Sequence, residues 1–305
     1  MNPGEGIVLV TGATGFIGKR LVSALLAGGH RVRCLVRRPD APLPDGAERV
    51  VGDILTREGL DAALAGIDTA FYLVHSMAGG RAGFERRDRE AAEHFVAAGN
   101  RAGLRRAIYL GGLGETGDHL SEHLASRLEV AAILRRGSFR TTFLRAAIII
   151  GAGGASFEMI RALVERLPVM ITPRWVSTRC QPIAVGDVIS YLTGCLEDER
   201  TTGETFDIGG PDILTYREMM ERLAGVEKTF TMILSVPVLT PRLSSYWVGL
   251  VTPVRPSIAI PLIEGLRNEV VCRENRIRDL IPFPLTTYER AVTIALAEDT
   301  GNDYN

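Results

Sequence analysis

The fold of the chain is decided near its amino end, where residues 8–18 read Val-Leu-Val-Thr-Gly-Ala-Thr-Gly-Phe-Ile-Gly. The apolar residues Ile7–Val10 are typical of a strand that is buried on both faces of a parallel sheet. From Gly15 to Ala27 apolar side chains recur at helical spacing, and Gly28 with Gly29 is expected to end that helix. A buried strand, a glycine-rich turn and a helix in direct succession predict the first part of a β-α-β unit.

The turn between this strand and helix carries three regularly spaced glycines. Gly12 permits the tight turn, Gly15 lets backbone N–H groups approach a pyrophosphate, and Gly18 lets the helix pack closely on the sheet. The amino end of the helix adds partial positive charge and N–H donors without intrahelical partners. We therefore predict a dinucleotide on this loop, the alternative being a vestigial loop that binds nothing. The predicted contacts come from Gly12, Thr14, Gly15, Phe16, Ile17 and Gly18.

The end of the second predicted strand, Arg31–Val36, bears on which dinucleotide is bound. Proteins that bind NAD usually place an acidic residue about 20 positions beyond the glycines, where it accepts a hydrogen bond from the ribose 2′-hydroxyl. Here Arg37 and Arg38 occupy that place. A guanidinium group can hold a 2′-phosphate through two hydrogen bonds. The sequence thus favours NADP(H) over NAD(H), and the alternative is that both arginines are solvated surface residues.

Short apolar runs alternate with helix-period segments as far as residue 150. This alternation predicts an α/β fold with a Rossmann-type, doubly wound parallel sheet. The strands are expected at 7–10, 31–36, 49–52, 70–74, 107–110 and 142–150, and the helices at 15–27, 56–64, 87–102 and 121–135, with Thr56 capping the second helix. We assign residues 1–150 to a dinucleotide-binding domain and 151–305 to a smaller, irregular substrate-side portion interleaved with the sheet.

Composition narrows the range of partners. The chain has 305 residues with 35 basic and 36 acidic side chains, so its net charge is −1 and no nucleic-acid partner is expected. The four cysteines are widely spaced, which predicts reduced thiols and no metal site. The first six residues are too short and polar for a signal peptide, and no apolar run of membrane-spanning length lacks breakers. We therefore predict a cytoplasmic protein without a transmembrane span.

Residues 230–254 come closest to such an apolar run, and the prolines within them disfavour a regular helix or strand. The apolar side chains of this stretch must be shielded from water. The domain's own helices, a partner subunit, a membrane surface or a lipophilic substrate could provide that contact. Either this stretch or Met159–Trp175 is predicted to line a cleft for a small apolar molecule, above the carboxyl ends of the strands. The alternative is that these methionines and aromatic residues are ordinary core.

The stretch from Val8 to Gly18 resembles the short-chain dehydrogenase/reductase superfamily, in particular its extended and atypical members. Further matches follow in family order at Gly52–Ile54, Val74–Ser76, Leu144–Gly151, Pro182–Val188 and Phe206–Pro211. The resemblance covers roughly residues 7–225 and is nearest to NmrA-like or epimerase-like NAD(P)H-binding proteins, a group that also resembles an accessory subunit of respiratory complex I. The cofactor contacts it implies are Asp53 and Ile54 at the adenine and Val74, His75 and Ser76 along the ribose.

The family's catalytic signature is absent from this chain. The family places a serine at the end of the fifth strand and Tyr-x-x-x-Lys on the next helix, whereas here that strand ends Tyr109-Leu110-Gly111 and the helix carries His123 and Arg127. These two residues are four apart and share one helical face. His123 can exchange protons near neutral pH, and Arg127 can bind the nicotinamide ribose as the family lysine does. His75 and Ser76 are the second candidates if His123 and Arg127 are merely solvated.

Two functions of different kinds are consistent with the sequence. The first is an NADP(H)-dependent reductase or isomerase of a small apolar molecule, with a non-standard catalytic site in which the protein orients the substrate. The second is a non-catalytic NADP(H)-binding protein, either a sensor or an accessory or scaffold subunit. The missing tyrosine counts against a third function, sugar-nucleotide epimerisation, and a fold of this kind does not decide between them.

Overall fold

The computed structural model describes residues 6–75, 83–114, 122–172, 174–235 and 268–302. The first half contains β1 (Ile7–Thr11), α1 (Phe16–Ala27), β2 (Arg31–Val36), β3 (Glu48–Val51), α2 (Leu60–Leu64), β4 (Ile67–Tyr72), α3 (Phe84–Ala102), β5 (Arg106–Gly112), α4 (Glu122–Leu134) and β6 (Arg140–Ala146). The second half contains β7 (Ile149–Ile150), α5 (Ala155–Arg166), β8 (Val169–Thr172), β9 (Arg179–Cys180), β10 (Ile183–Ala184), α6 (Val185–Glu197), β11 (Thr205–Ile208), β12 (Leu214–Thr215), α7 (Tyr216–Glu227), β13 (Met232–Ser235), α8 (Arg276–Leu280) and α9 (Tyr288–Asn302).

A seven-stranded parallel sheet runs through the centre of the protein in the order β11-β6-β5-β4-β1-β2-β3. β1 pairs with β2 on one side and with β4 on the other, so the strand order reverses at the carboxyl end of β1. Open α/β sheets bind their ligands at such a reversal. Leu9 and Val10 of β1 are fully buried, in agreement with the unbroken apolar run. The predicted Rossmann-type, doubly wound α/β fold is confirmed.

Helices cover both faces of the sheet. Alternate residues of β1 belong to the two layers: Val8 and Val10 pack in a cluster with α1 and α6, whereas Leu9 packs with α2, α3 and α4. A third apolar cluster joins α5, α7 and α9. Phe206 and Ile208 of β11 belong to the first cluster, so the second half of the chain contributes to the same core as the first. Within the described ranges, no helix is both long and apolar enough to cross a bilayer.

The second helix starts later than predicted. A start at Thr56 is wrong, because α2 begins at Leu60, after Gly59 in a left-handed conformation with φ of 66°. The preceding residues form a turn instead, in which Asp53 Oδ1 accepts a hydrogen bond from the N–H of Leu55. A short polar side chain that binds nearby backbone competes with helix formation in this way.

The second half is more regular than its prolines suggest. The strand predicted at 142–150 ends at Ala146, and β7 pairs with β10 outside the main sheet. β13 pairs in parallel with β8, so the prediction of irregular structure from residue 230 is wrong for residues 232–235. α9 is a regular helix of 15 residues. Residues 236–267, which include most of the stretch 230–254, lie outside the described residues.

Candidate functional site

The turn that follows β1 is fixed to the neighbouring strand by Thr11. Its buried hydroxyl donates to the carbonyl of Phe71 (3.1 Å) and accepts from the N–H of Leu73 (3.2 Å). Gly12 then adopts a left-handed backbone with φ of 70°. A Cβ atom at Gly12 would lie 2.6 Å from the carbonyl oxygen of Leu73, so both the conformation and the close approach require glycine. The chain after β4 therefore runs directly beside this turn.

The amino end of α1 suits an anionic ligand. The N–H of Gly15 donates to the carbonyl of Gly12 (3.0 Å), and the helix starts at Phe16. A Cβ at Gly18 would collide with that same carbonyl, so the close packing of the helix on the turn requires glycine at this position. Gly15 provides no side-chain cap, and the first turn of α1 carries no acidic residue. The helix end thus presents N–H groups and partial positive charge, which fit a pyrophosphate.

The other predicted residues of the turn differ in exposure. Thr14 is exposed, whereas Phe16 and Ile17 are half-buried. The Phe16 ring lies against the backbone of Gly154, because a Cβ there would be 3.0 Å from its Cζ. The guanidinium of Arg20 stacks over the same ring, 4.9 Å from its centroid. Phe16 can therefore reach a cofactor through its N–H, while its side chain ties α1 to the turn before α5.

The arginines predicted to select the cofactor lie at the same edge of the sheet. Arg37 and Arg38 follow β2 directly and are exposed. The N–H of Gly52 donates to the carbonyl of Val36 (2.9 Å), which brings the segment after β3 beside them. Arg38 Nε lies 3.9 Å from Asp40 Oδ1, and both side chains are more than 70% exposed. A solvated pair of this kind contributes little, so a phosphate could replace Asp40 readily.

The residues predicted to lie at the adenine occupy the turn after β3. Asp53 is half-buried, and its Oδ1 accepts from the N–H of Leu55 at 2.8 Å. Ile54 is buried, and its carbonyl oxygen lies 2.9 Å from His94 Nδ1. Contacts within the turn and with α3 therefore fix both residues at the edge of the sheet.

A buried histidine–aspartate pair lies just beyond β4. His75 Nδ1 is 2.7 Å from Asp88 Oδ2, and the hydroxyl of Ser126 donates to the same oxygen (3.3 Å). The exposed fractions of the His75 and Asp88 side chains are only 14% and 3%. Val74, the residue before the histidine, is half-buried. Three separate elements thus converge here, since Asp88 lies on α3 and Ser126 on α4.

Arg127 adjoins this pair from α4. Its guanidinium donates to the carbonyl of Leu110 (3.1 Å) and to the hydroxyl of Tyr109 (3.5 Å), while Nε has no partner among the described residues. Arg127 is therefore half-buried at the carboxyl end of β5 and not fully solvated. Ser76 and the side chain of His123 lie outside the described residues. We refer to the following residues as the polar cluster: Tyr72, His75, Asp88, Tyr109, Ser126 and Arg127.

Burial has the largest influence on protonation in the polar cluster. Burial lowers the pKa of His75, and the positive charge of Arg127 lowers that pKa further. The hydrogen bond to Asp88 and the negative charge of Asp88 oppose both effects. Burial also raises the pKa of Tyr109 against the opposing charge of Arg127, and it raises the pKa of Tyr72 well above its ordinary value. A neutral imidazole and two neutral phenols therefore face one carboxylate and one guanidinium.

Sequence reasoning did not identify Asp88, Tyr109 or Ser126 as site residues. A signal for Asp88 is nevertheless present, because it shares a helical face with Ala92 and Phe95, which are fully buried. A charged residue on the apolar face of a helix requires a buried partner. A search for such residues would have found Asp88, although it would not have named His75.

A small cleft opens at the carboxyl ends of β5, β6 and β11, on the side predicted to hold the substrate. Its volume is about 110 Å³, and its lining includes Arg145, Asp207, Glu269 and Arg273. Arg145 Nε donates to Asp207 Oδ1 at 2.7 Å, and the Asp207 side chain is fully buried. This cleft is charged, which differs from the apolar cleft expected there.

Two methionines expected to line an apolar cleft belong to the core. Met159 and Met170 are 4% and 2% exposed and pack in the cluster of α5, α7 and α9, so the prediction is wrong for them. The inward positions of α5 and β8 explain this, because each residue lies on the buried face of its element. A second cleft, of about 280 Å³, adjoins α1, α6 and α9 and includes neither methionine. The side chain of Trp175 lies outside the described residues.

The two-stranded sheet of β8 and β13 exposes an apolar face. Val169 pairs with Met232, and Ile171 pairs with Leu234, so the four side chains lie on one face. Each of them is between 44% and 57% exposed. Phe230, which precedes β13, is 69% exposed. Met232 and Leu234 of this apolar face belong to the stretch 230–254, whose apolar side chains the sequence predicts to be shielded from water.

Comparison with known families and proteins adds to this geometry. Residues 12–145 match the family model described as NAD(P)H-binding. A 3-beta-hydroxysteroid dehydrogenase of Mycolicibacterium neoaurum is 42% identical over 34% of this chain and 31% of its own length. A ceramide reductase of Caulobacter vibrioides is 33% identical over 54% of this chain and 53% of its own. The matched parts thus span only about a third and a half of these two relatives.

Other relatives match over more of the chain. Subunit 9 of the NADH dehydrogenase [ubiquinone] 1 alpha subcomplex of Arabidopsis thaliana is 25% identical over 93% of this chain and 76% of its own length. A nucleoside-diphosphate-sugar epimerase from Staphylococcus aureus shares the fold with a TM-score of 0.76, 16% identity and coverage of 93% and 99%. A short-chain dehydrogenase/reductase superfamily protein from Agrobacterium tumefaciens, with bound NAD, has a TM-score of 0.67, 18% identity and coverage of 97% and 98%.

Fold and comparisons agree on the class of protein. The central sheet and the glycine turn at its reversal point define a Rossmann-type α/β protein. The chain has the fold of the short-chain dehydrogenase/reductase superfamily, and its residues 12–145 are similar to NAD(P)H-binding proteins. The predicted resemblance to the short-chain dehydrogenase/reductase superfamily is thereby confirmed, whereas the NmrA-like subtype stays a prediction.

Proposed function

We propose that the protein is an NADP(H)-dependent oxidoreductase, a reductase or isomerase of a small apolar molecule, whose site lacks the usual serine and Tyr-x-x-x-Lys. The observation that carries the proposal is the glycine turn after β1, which lies where the strand order reverses and leaves the end of α1 without a side-chain cap. The match of this segment to NAD(P)H-binding proteins supports it. A cytoplasmic location is part of the proposal.

We assign a group of residues to each part of a dinucleotide. The cofactor would supply hydride transfer when bound, while the protein supplies orientation and proton exchange. The assignments are Gly12, Thr14, Gly15, Phe16, Ile17 and Gly18 for the pyrophosphate, Arg37 and Arg38 for the 2′-phosphate, Asp53 and Ile54 for the adenine, and Val74, His75, Ser76 and Arg127 for the nicotinamide ribose.

Proton exchange is assigned to the residues that follow β4 and β5. His75 belongs to the polar cluster, and His123 lies on α4 one turn before Arg127. General acid–base catalysis typically contributes about 10²–10⁴-fold. Once a reaction is found, His75→Ala and His123→Ala therefore separate the two candidates, since only the group that exchanges the proton should reduce kcat by this amount.

The relatives support an apolar substrate. Two of them are named for reactions on a steroid and on ceramide, both of which are largely apolar molecules. The apolar face of β8 and β13 is consistent with an apolar group on that side of the protein. The charged cleft beside β6 would suit only a polar end of such a substrate.

A non-catalytic role is the second candidate. The similarity to the NADH dehydrogenase subunit extends over 93% of the chain, more than the two enzymes above. The apolar face of β8 and β13 would then contact a partner subunit or a membrane surface. Such a protein would hold NADP(H) without turnover, so tight cofactor binding with no oxidation of NADPH by apolar carbonyl compounds would favour this candidate.

Calorimetric titration with NADPH and with NADH tests the cofactor assignment. Hydrogen bonds to charged groups contribute about 1.5–3 kcal/mol, so we expect NADPH to bind about 10-fold or more tightly than NADH. Arg37→Ala and Arg38→Ala should reduce that preference, whereas Arg31→Ala, at the opposite end of β2, should leave it unchanged. Equal affinities that neither substitution alters would contradict the assignment.

A further inference from the structure

The His75–Asp88 pair lies next to the proposed cofactor site. Tyr72 pairs with Thr11 at the end of β4, and the chain then passes within contact distance of Gly12 before it reaches His75. Asp88 reaches the histidine from α3, a helix that supplies no residue to the predicted cofactor contacts. The His75–Asp88 contact therefore connects the chain segment beside the glycine turn with α3, in the layer of helices on one face of the sheet.

The hydrogen bond to Asp88 fixes which ring nitrogen of His75 carries the proton. An ionised carboxylate only accepts hydrogen bonds, so the 2.7 Å contact requires a proton on Nδ1. A neutral imidazole has a single N–H, and Nε2 is then the nitrogen with the lone pair. Ser126 donates to the same carboxylate oxygen, which holds Asp88 in place from α4.

The charges around His75 keep the ring neutral. Asp88 on α3 and Arg127 on α4 carry opposite charges, while Tyr72 on β4 and Tyr109 on β5 are buried phenols with raised pKa values. A proton added to His75 would introduce a second positive charge beside Arg127 in a site where burial already lowers the pKa of the histidine. The cluster is thus arranged for a group that accepts a proton and then releases it.

We propose that His75 is the proton acceptor of the site, through Nε2, and that Asp88 is a positioning residue which holds it in the Nδ1–H form. The proposal rests on the proposed function and selects His75 over His123. In the direction of alcohol oxidation, the O–H bond of a substrate hydroxyl breaks, its proton passes to Nε2, and the bonding electron pair stays on the substrate oxygen. In the direction of carbonyl reduction the same proton returns from Nε2 to that oxygen. Ser126 supports Asp88 and does not itself exchange a proton.

The test is a ¹⁵N NMR titration of the full chain labelled at histidine, with His75 assigned by comparison with His75→Gln. The wild-type spectrum at pH 7 should show His75 neutral, protonated on Nδ1 and unprotonated on Nε2. In Asp88→Asn the amide can donate to Nδ1, so the Nε2–H form should become populated. His94, whose Nδ1 lies 2.9 Å from the carbonyl of Ile54, serves as an internal control that should not change.

Two variants complete the design. Asp61→Asn makes the same chemical change on the surface of α2, where the carboxylate pairs only with Arg101 among the described residues, and should leave the His75 signals unchanged. Ser126→Ala should keep the Nδ1–H form, because the aspartate remains. A wild-type His75 that is charged at pH 7, or protonated on Nε2, would overturn the proposal, and this spectrum decides the matter even if Asp88→Asn does not fold.

Cofactor titration separates this proposal from the proposed function. Asp88→Asn should still bind NADPH, since Asp88 itself is not assigned to the cofactor and only the His75 contact to the nicotinamide ribose changes its proton. If wild type does not bind NADPH, the proposed function fails while the spectrum still decides the state of His75. Where a reaction is found, Asp88→Asn should lower kcat about 10²–10⁴-fold with little change in KM. An unchanged kcat together with an altered tautomer would refute the positioning role.

Discussion

The glycine turn after β1 and the polar cluster lie at the same edge of the sheet but are built in different ways. The turn consists of backbone, and a Cβ atom at Gly12 or Gly18 would run into the neighbouring main chain. The polar cluster consists of side chains that come from four elements and meet only in the folded protein. The proposed cofactor binding at the turn therefore depends on an absence of side chains, whereas the proposed chemistry in the polar cluster depends on particular partners.

This difference determines how each region should respond to substitution. A change in the turn affects the backbone of β1, α1 and the chain after β4 together, so its effects on stability and on cofactor binding should not separate. A change in the polar cluster leaves the backbone in place and alters protonation. Substitutions in the turn and in the polar cluster should therefore have different effects.

The largest loss of stability is expected for Gly12→Ala. The left-handed conformation alone costs a residue with a Cβ about 1–2 kcal/mol. The Cβ would also lie 2.6 Å from the carbonyl oxygen of Leu73, so we expect a total above about 3 kcal/mol and loss of NADPH binding. Denaturant unfolding and calorimetry measure the two effects.

Gly29→Ala is the matched control for this prediction. Gly29 also has a left-handed backbone, with φ of 81°, but no atom of the described residues lies within 4 Å of a Cβ built there. Gly29→Ala should therefore lower the free energy of unfolding by only the conformational cost of about 1–2 kcal/mol, because no collision is added. This variant should bind NADPH as wild type does. If the two variants are equally stable, close packing of the turn on β4 is not what requires glycine at position 12.

The same contrast explains what the sequence could predict. The three glycines act through local backbone geometry, so their spacing and the apolar run before them indicated both the sheet and the turn. The contact between His75 and Asp88 depends on how α3 packs against β4, and no local pattern encodes that packing. The strand β13 could not be predicted for the same reason. Its pairing with β8 depends on a partner 63 positions away (Met232 with Val169) and not on the prolines that follow it.

Arg127→Met is expected to have the next largest effect. Methionine fills similar space but cannot donate to the carbonyl of Leu110, and a hydrogen bond made by a charged group contributes about 1.5–3 kcal/mol. The substitution also removes a charge that lowers the pKa of His75, so that pKa should rise. Denaturant unfolding and the ¹⁵N titration measure these changes. Arg101→Met, which removes an exposed pair with Asp61, should cost at most about 0.5 kcal/mol and leave His75 unaffected.

A smaller, pH-dependent effect is expected for His75→Gln. The pKa of His75 is lowered in the folded protein, so below the ordinary histidine value of about 6.5 the unfolded chain binds more protons than the folded one. Stability should therefore fall as the pH decreases from 7 toward the lowered pKa, by at most about 1.4 kcal/mol per pH unit for this one group. His75→Gln should remove that part of the slope, as measured by unfolding at several pH values. His30→Gln is the control, and an identical reduction in both variants would contradict the assignment.

The smallest effect on stability is expected for Arg38→Ala, although its effect on cofactor choice should be large. Arg38 and Asp40 are 73% and 77% exposed and 3.9 Å apart, so the free energy of unfolding should change by less than about 0.5 kcal/mol. The affinity for NADPH should nevertheless decrease by about 10-fold or more, while that for NADH stays the same, because only the 2′-phosphate requires the guanidinium. Gly12→Ala should lose stability and binding together, whereas Arg38→Ala should lose binding alone. A substantial loss of stability in Arg38→Ala would show that this arginine is part of the fold, and its presence at the end of β2 would then need no cofactor to explain it.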